Sequence, residues 1–182
     1  MANCCNNLLV VTGPAEDRRR LARLWTDGGP VFDRILPQPD PFTNEDIARL
    51  RADLNDLYAG GEKLLDDVIG PTWWWRRFNW GTTSDVDAAD DVQERGEETI
   101  IDFMTDGEPP VPVVEAMSRL YPSLTFQLKW FETGCRLAGE VRFIAGNGQA
   151  RRYPPGSPDY ERLAAEFGYE EEEEEEDPNE AS

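Results

Sequence analysis

The sequence contains no histidine, only three cysteines and half as many basic as acidic residues. Because histidine is the commonest general base and transition-metal ligand, its absence excludes Ser-His-Asp and Cys-His catalysis and histidine-ligated zinc. The cysteines, Cys4, Cys5 and Cys135, cannot all pair with one another, and adjacent cysteines rarely form a disulfide. Reduced thiols are therefore expected, as in cytoplasmic proteins.

Long apolar runs are also absent. A membrane-spanning helix needs roughly 18 apolar residues in succession, and no segment provides them. The first residues, MANCCNNLLVVTG, lack the basic region and the long apolar run of a signal peptide. The sequence thus predicts a cytoplasmic protein that does not associate with a membrane.

The charge is strongly acidic, with 37 Asp and Glu against 18 Lys and Arg and a net charge of -19. Nine of the acidic residues lie in the last thirteen positions, and removing them leaves a net charge of -10 for the rest. Such a field repels phosphate backbones, which argues against ordinary nucleic-acid binding through counterion release. A basic protein partner, or solubility alone, fits the charge better.

The first half of the chain alternates between apolar runs and helical patterns. Residues 7–12 form a short apolar run that predicts a buried strand, and a helix follows Pro14. The run Arg18 to Arg20 is interpreted as the solvated face of that helix. Residues 31–36 are predicted to form a second, short strand. Thr43 and Asp46 resemble a capping box that begins a helix, and a further helical segment is predicted at residues 64–69.

The second half is richer in strands. Apolar and polar residues alternate at 101–104, 124–130 and 137–143, and a Gly-Asn-Gly turn predicts a hairpin that returns through residues 149–153. A helix is predicted at 110–121 and another at about 159–167. Helices on one face of a mainly antiparallel sheet define an α+β sandwich, and a ferredoxin-like βαββαβ core fits the order best.

The predicted organisation is a single domain. Residues 1–153 form the ferredoxin-like domain, with a helical insertion at about 43–70, and residues 154–169 add a short helix. Seven consecutive glutamates begin at Glu170, and their mutual repulsion predicts a disordered acidic tail over residues 170–182.

Several of these landmarks resemble the YubB-like family of ferredoxin-like-domain proteins, which are carried by plasmids and phages and are largely uncharacterised. The similar positions are Asn3, Cys5, Asn7, Leu9, Val11 and Gly13-Pro14, then Trp75 to Thr82, and finally Phe103, Thr105, Pro109-Pro110, Tyr121-Pro122, Leu124, Phe126 and Ala138-Gly139. The chain departs from the family at Cys4, Thr83-Ser84 and Asp106-Gly107, where members usually carry tryptophan, Lys-Trp and Ala-Trp. The resemblance implies a fold and a mobile-element origin in a bacterial host, but no reaction.

An acidic stretch offers the sharpest catalytic hypothesis. The aspartates Asp85, Asp87, Asp90 and Asp91, with Glu94 nearby, supply the oxygen ligands that Mg²⁺ and Ca²⁺ prefer. However, the stretch lacks the central glycine and final glutamate of a calcium-binding loop, and no basic phosphate clamp follows it. We therefore interpret it as an acidic surface patch and predict no metal, no cofactor and no catalytic residue, with an Asp-centred metal-dependent hydrolase as an alternative.

An aromatic and basic cluster offers the clearest binding hypothesis. Its members are Trp73, Trp74, Trp75, Arg76, Arg77 and Trp80. Indole faces and guanidinium planes can stack on flat ligands, so a nucleotide-binding or ligand-sequestering protein is an alternative function. The simpler interpretation is that alternate members of the cluster line the core while the others cover the edge of the sheet. Cys135, beside Arg136, is a weaker candidate for an activated thiol.

These observations together favour a non-enzymatic acidic binding protein. Its predicted partner is a host protein. In the more specific form of this hypothesis the partner binds nucleic acid, and the acidic chain would occupy it by imitating DNA. Inhibition of host defence is the specific form of this hypothesis.

Overall fold

A computed structural model describes residues 3–58 and 70–169. The strands are β1 (Cys4–Thr12), β2 (Asp91–Arg95), β3 (Glu98–Asp106), β4 (Thr125–Glu132), β5 (Leu137–Ile144) and β6 (Arg151–Tyr153). The helices are α1 (Ala15–Thr26), α2 (Val31–Ile35), α3 (Asn44–Leu57), α4 (Pro71–Asn79), α5 (Val111–Leu120) and α6 (Pro158–Glu166). The predicted helix at 64–69 and the predicted tail at 170–182 lie outside the described residues. No helix in the described ranges is long and apolar enough to cross a membrane.

The six strands form one antiparallel sheet in the order β2-β3-β1-β4-β5-β6. Its first four strands have the order of a ferredoxin-like fold, in which the first strand lies between the third and the fourth. Strands β5 and β6 extend the sheet beyond β4, as the predicted C-terminal hairpin does. The ferredoxin-like α+β prediction is therefore confirmed.

The core lies between the inner face of the sheet and helices α1, α2 and α5. Alternate residues of each strand point inward, because side chains in a strand alternate between the two faces. The helices contribute Leu21 and Trp25 from α1, Phe32 from α2, and Val113 and Met117 from α5, all at most 1% exposed. Trp25 packs on Phe103 of β3 with ring centroids 4.5 Å apart. This layer of helices covers the inner face of the sheet and leaves its outer face to other elements.

The strand prediction at residues 31–36 is wrong, because this segment forms helix α2 and a loop residue. Its apolar residues recur at Val31, Phe32 and Ile35, which is helical spacing, and all three are buried. The prediction places the second strand of the βαββαβ unit at residues 31–36. In the structure that second strand is β2, which begins inside the acidic stretch. A tight turn at Gly96, with a φ of 59°, joins β2 to β3.

Arg18 is not on the solvated face of α1, as the sequence pattern suggested. Arg18 is 4% exposed, and its guanidinium donates hydrogen bonds to the carbonyl oxygens of Gly13 and Gly96, the Thr99 hydroxyl and the Glu94 carboxylate. These contacts join α1 to the hairpin of β2 and β3. Arg19 and Arg20 are exposed, as expected for the outer side of the helix.

The helical insertion begins as predicted, with a capping box. The Thr43 hydroxyl accepts the amide hydrogen of Asp46, and the Asp46 carboxylate accepts that of Thr43. Helix α3 packs through Leu50 and Leu54 against Trp74 of α4, in a cluster separate from the main core. The insertion thus has its own small apolar centre.

Helix α6 covers one end of the outer face of the sheet. Tyr160, Leu163 and Ala164 of the helix pack on Phe131 of β4 and Ala138 of β5. The helix begins at Ser157, whose hydroxyl accepts the amide hydrogen of Tyr160. The remainder of the outer face, towards β2, is not covered by a described helix.

Candidate binding surface

The tryptophans of the aromatic and basic cluster divide between buried and half-buried positions. They lie on α4 and just after it, and they point in two directions. Trp74 is 7% exposed and packs against the insertion, whereas Trp80 is 1% exposed and packs in the main core. The Trp80 indole NH donates to the carbonyl oxygen of Leu36 at 2.8 Å. Trp73 and Trp75 are only half-buried.

The two arginines of the cluster are engaged within the chain. Arg76 lies over the Trp80 ring, 4.9 Å from its centroid, and its Nε donates to the Gln38 side chain. Arg77 forms an ion pair with Glu108 and donates to the carbonyl oxygen of Gly81. The hydrogen bond that Arg77 donates to the Glu108 carboxylate raises the pKa of Arg77 above its ordinary value. Neither guanidinium is therefore presented as a ready phosphate clamp, and the nucleotide hypothesis stays a prediction.

The aspartates of the acidic stretch divide between structure and surface. Asp85 is half-buried, and its carboxylate accepts the amide hydrogens of Phe32 and Asp33, at 2.7 and 2.8 Å, at the start of α2. A carboxylate at this position caps the helix and complements its dipole. Asp87 is exposed, and so are Asp90 and Asp91 at the start of β2. Among the described residues no group of three or more acidic or cysteine side chains is arranged to hold a metal ion.

Asp90 and Asp91 meet a third carboxylate, that of Asp102 on the neighbouring strand. Asp91 is directly opposite Asp102 in the β2–β3 register, and the Asp90 amide donates to the Asp102 carbonyl. Burial raises the pKa of Asp102, and the charges of Asp90 and Asp91 raise it further. Like charges opposite each other in a sheet are destabilising. This edge therefore carries a negative potential that no described cation neutralises by an ion pair.

Asp102→Asn should make the protein more stable at pH 7, by about 0.5 to 1 kcal/mol, because it removes one of three repelling charges. A carboxyl group whose pKa is raised by folding stabilises the folded state at low pH. This stabilisation is lost as the pH rises through the pKa of that group in the folded protein. The stability that Asp102→Asn gains at pH 7 should therefore shrink as the pH is lowered to about 3.5, below the ordinary aspartate pKa. Urea unfolding at both pH values measures it. Asp102→Glu, which keeps the charge, should show no gain, and a less stable Asp102→Asn variant at pH 7 would contradict the prediction.

The three cysteines form no disulfide with one another, and they occupy different environments. Burial raises the pKa of Cys5 to about 12, and the charge of Glu132 adds to this effect, so Cys5 is an inert core thiol. Cys4 and Cys135 are exposed. The amide of Cys135 donates to the Glu132 carboxylate, which closes the turn between β4 and β5. The activated-thiol hypothesis for Cys135 gains no base from these contacts.

The uncovered part of the outer face forms a surface that the sequence patterns did not predict. We define the open sheet surface as the residues that line this groove of about 480 Å³: Leu8, Val10, Asp91, Gln93, Arg95, Glu98, Ile100, Asp102, Gln127, Lys129 and Glu166. Leu8 and Val10 of β1 and Ile100 of β3 form an aliphatic row on its middle strands. Met104, which is 50% exposed, continues this row on β3. The sequence carried one signal of this surface, because Leu8 to Val11 are apolar at every position and so supply both faces of β1.

The open sheet surface combines aliphatic and acidic side chains. Its four carboxylates are opposed by two cations, and one of these, Lys129, is paired with Glu166. An apolar surface with a charged rim is typical of a protein-binding site. The aliphatic row would supply contact area, and the carboxylates would select a basic partner.

The fold and this surface define an antiparallel ferredoxin-like domain with one sheet face half open. Residues 85–178, just over half of the chain, match the family model described as the ferredoxin-like domain in Api92-like protein. The chain belongs to this family of Api92-like proteins. The finer resemblance, to YubB-like proteins of plasmids and phages, stays a prediction. Strand β1 lies before the matched residues, yet it pairs with β3 and β4 inside them.

Among solved structures, one described as the crystal structure of a protein api92 from Yersinia pseudotuberculosis is similar to the chain. It shares 10% sequence identity, with a TM-score of 0.47, and the match covers 86% of this chain and 100% of that one. No curated protein matches the chain significantly.

Proposed function

We propose that the protein is a non-enzymatic binding protein that holds a basic segment of another protein on its open sheet surface. One observation carries the proposal: an aliphatic row on the uncovered sheet is bordered by Asp91 and Asp102, whose charges have no ion-pair partner among the described residues. Arginine or lysine side chains of a partner would relieve this repulsion, and apolar side chains between them would cover Leu8, Val10 and Ile100.

The charge of the chain supports the same kind of partner. A net charge of -19 attracts basic surfaces over long range and speeds encounter with them, and it repels nucleic acid. Surfaces that bind nucleic acid are rich in lysine and arginine. We therefore infer a nucleic-acid-binding protein as the partner, occupied in place of its nucleic acid.

The finer form of the proposal is an inhibitor encoded by a phage or plasmid that acts on a defence protein of a bacterial host. It is supported by the resemblance of the first strand and of the Trp75 to Thr82 motif, together with the acidic charge. The absence of histidine and the structural use of Asp85 support a function without catalysis.

The test is a capture experiment on bacterial lysate with three immobilised forms of the full chain. They are the parent protein, the double variant Asp91→Lys with Asp102→Lys on the open sheet surface, and the control Asp53→Lys with Asp56→Lys on α3. Both variants change the net charge equally, and all four aspartates are exposed. Thermal unfolding confirms first that each form is folded.

A partner should be retained by the parent protein and by the control variant, and it should be lost by the open-surface variant. About 0.5 M NaCl should release the partner from the parent protein, because it shortens the Debye length to a few ångströms. Equal retention by both double variants would overturn the proposal, since charge alone would then explain binding. Retention that salt does not weaken, or recovery of no protein at all, would also overturn it.

A further inference from the structure

A second concave site lies at the other end of the chain's central strand, outside the open sheet surface. It is a pocket of about 380 Å³ that forms where the start of β1, the turn after β3 and the turn after β4 meet α4. Its side chains include Asn3, Trp73, Arg77, Asp106 and Glu108. Volumes in this range suit small ligands or a single large side chain.

The charges in this pocket are unequal. Glu108 is neutralised, because it forms an ion pair with Arg77 and lies 3.7 Å from Arg152. Asp106 is different: its carboxylate accepts a hydrogen bond from the Ser84 hydroxyl but forms no ion pair with a described residue. Among the residues that line the pocket, Asp106 is therefore the carboxylate whose charge no described ion pair compensates, and Arg152 lies outside this lining, beside Glu108. An anionic ligand would meet repulsion there, and a cation would be attracted.

The remaining walls favour a flat cation. Trp73 is half-buried, and its ring stands at 83° to that of Trp74, which holds it in one orientation. A guanidinium stacks on an indole and pairs with a carboxylate through two parallel hydrogen bonds, which a compact ammonium cannot do. Asn3 donates its amide hydrogen to the Cys135 sulfur at 3.2 Å, which leaves its side-chain oxygen as a further acceptor.

We propose that this pocket binds an alkylguanidinium group, with Asp106 as the carboxylate that pairs with it and Trp73 as the aromatic wall. The inference goes beyond the proposed protein-binding function and does not depend on it, because none of these residues lines the open sheet surface. In this pocket two members of the aromatic and basic cluster would have different roles: Trp73 would contact the cation, and Arg77 would organise the pocket through its ion pair with Glu108.

The probe is methylguanidinium chloride, added to the full chain at constant ionic strength with sodium chloride as the balancing salt. The backbone amide signals of Gly107 and Cys135, both of which line the pocket, report binding in ¹H–¹⁵N spectra. Saturable shifts with a dissociation constant in the millimolar range are expected.

Asp106→Asn keeps an acceptor for Ser84 and removes the charge, so it should weaken binding about tenfold, as expected when a charged hydrogen-bond partner is lost. Trp73→Leu, at a half-buried position, should also weaken binding and serves as a second variant. The control Glu97→Gln removes an equal charge in the turn after β2 and should change the affinity less than about twofold.

A second ligand shows whether the guanidinium group belongs to a protein side chain or to a small molecule. A blocked Ala-Arg-Ala peptide that binds as tightly as methylguanidinium indicates a site for a protein side chain, whereas exclusion of the peptide indicates a small molecule. No saturable shift with methylguanidinium, an unchanged affinity in Asp106→Asn, or saturable binding of AMP at the same signals would overturn the proposal.

Discussion

Arg18→Ala is expected to lower the free energy of unfolding by about 3 to 5 kcal/mol, which is a large part of the stability of a domain of this size. The Arg18 guanidinium makes its four hydrogen bonds at a site only 4% exposed. Truncation would remove these four hydrogen bonds together, and a hydrogen bond made by a charged group contributes more than a neutral one. It would also remove the link between α1 and the hairpin of β2 and β3.

Urea unfolding followed by circular dichroism measures this effect. Arg19→Ala provides a matched control, because it removes the same side chain from the next position of the same helix, where it is exposed. The control should change the stability by less than about 0.5 kcal/mol. Equal effects of the two substitutions would show that Arg18 acts only as a surface charge, contrary to its burial.

Trp80→Ala should destabilise the protein by about 3 to 5 kcal/mol, as large-to-small changes of buried tryptophans do. The indole is 1% exposed, it donates to the carbonyl oxygen of Leu36, and its ring packs edge-on against Phe32 and Trp75. Its loss would create a cavity where α2, α4 and the main core meet, and it would leave the Leu36 carbonyl without a donor.

Two substitutions divide the Trp80 effect into its parts. Trp80→Phe keeps most of the apolar volume and loses the hydrogen bond, so it should cost about 1 to 2 kcal/mol in the same urea measurement. Trp73→Ala, in the same cluster but half-buried, should cost less than Trp80→Ala. If Trp73→Ala destabilised the protein more, the division of the cluster into core and surface members would be wrong.

The fold was largely predictable from local patterns. The alternation at 124–130 and the helical spacing at 110–121 each had one consistent reading, and both elements are present as β4 and α5. The error at Val31 to Leu36 arose because a short apolar run is compatible with either structure. The helix there begins with the capping carboxylate of Asp85, a residue distant in sequence, which no local pattern could reveal.

The candidate surfaces were less predictable, because they depend on which residues meet in three dimensions. The Asp85 to Asp91 stretch looked uniform in sequence, but its first aspartate caps a helix and its last faces Asp102 across a strand pair. Arg18 likewise could not be separated from Arg19 and Arg20 by composition alone. In each case the partner that decides the role lies far along the chain.

The position of β1 at the centre of the sheet has a consequence for synthesis and folding. Strand β1 is completed at Thr12, but its partners are Glu98–Asp106 and Thr125–Glu132, so neither of its edges can be paired until most of the chain has been made. Pairings this distant in sequence slow folding, because a long loop must close before they form. On the ribosome the apolar residues Leu8 to Val11 would therefore stay unpaired until Glu98 and the residues after it have been synthesised, which exposes them to non-native contacts in that interval.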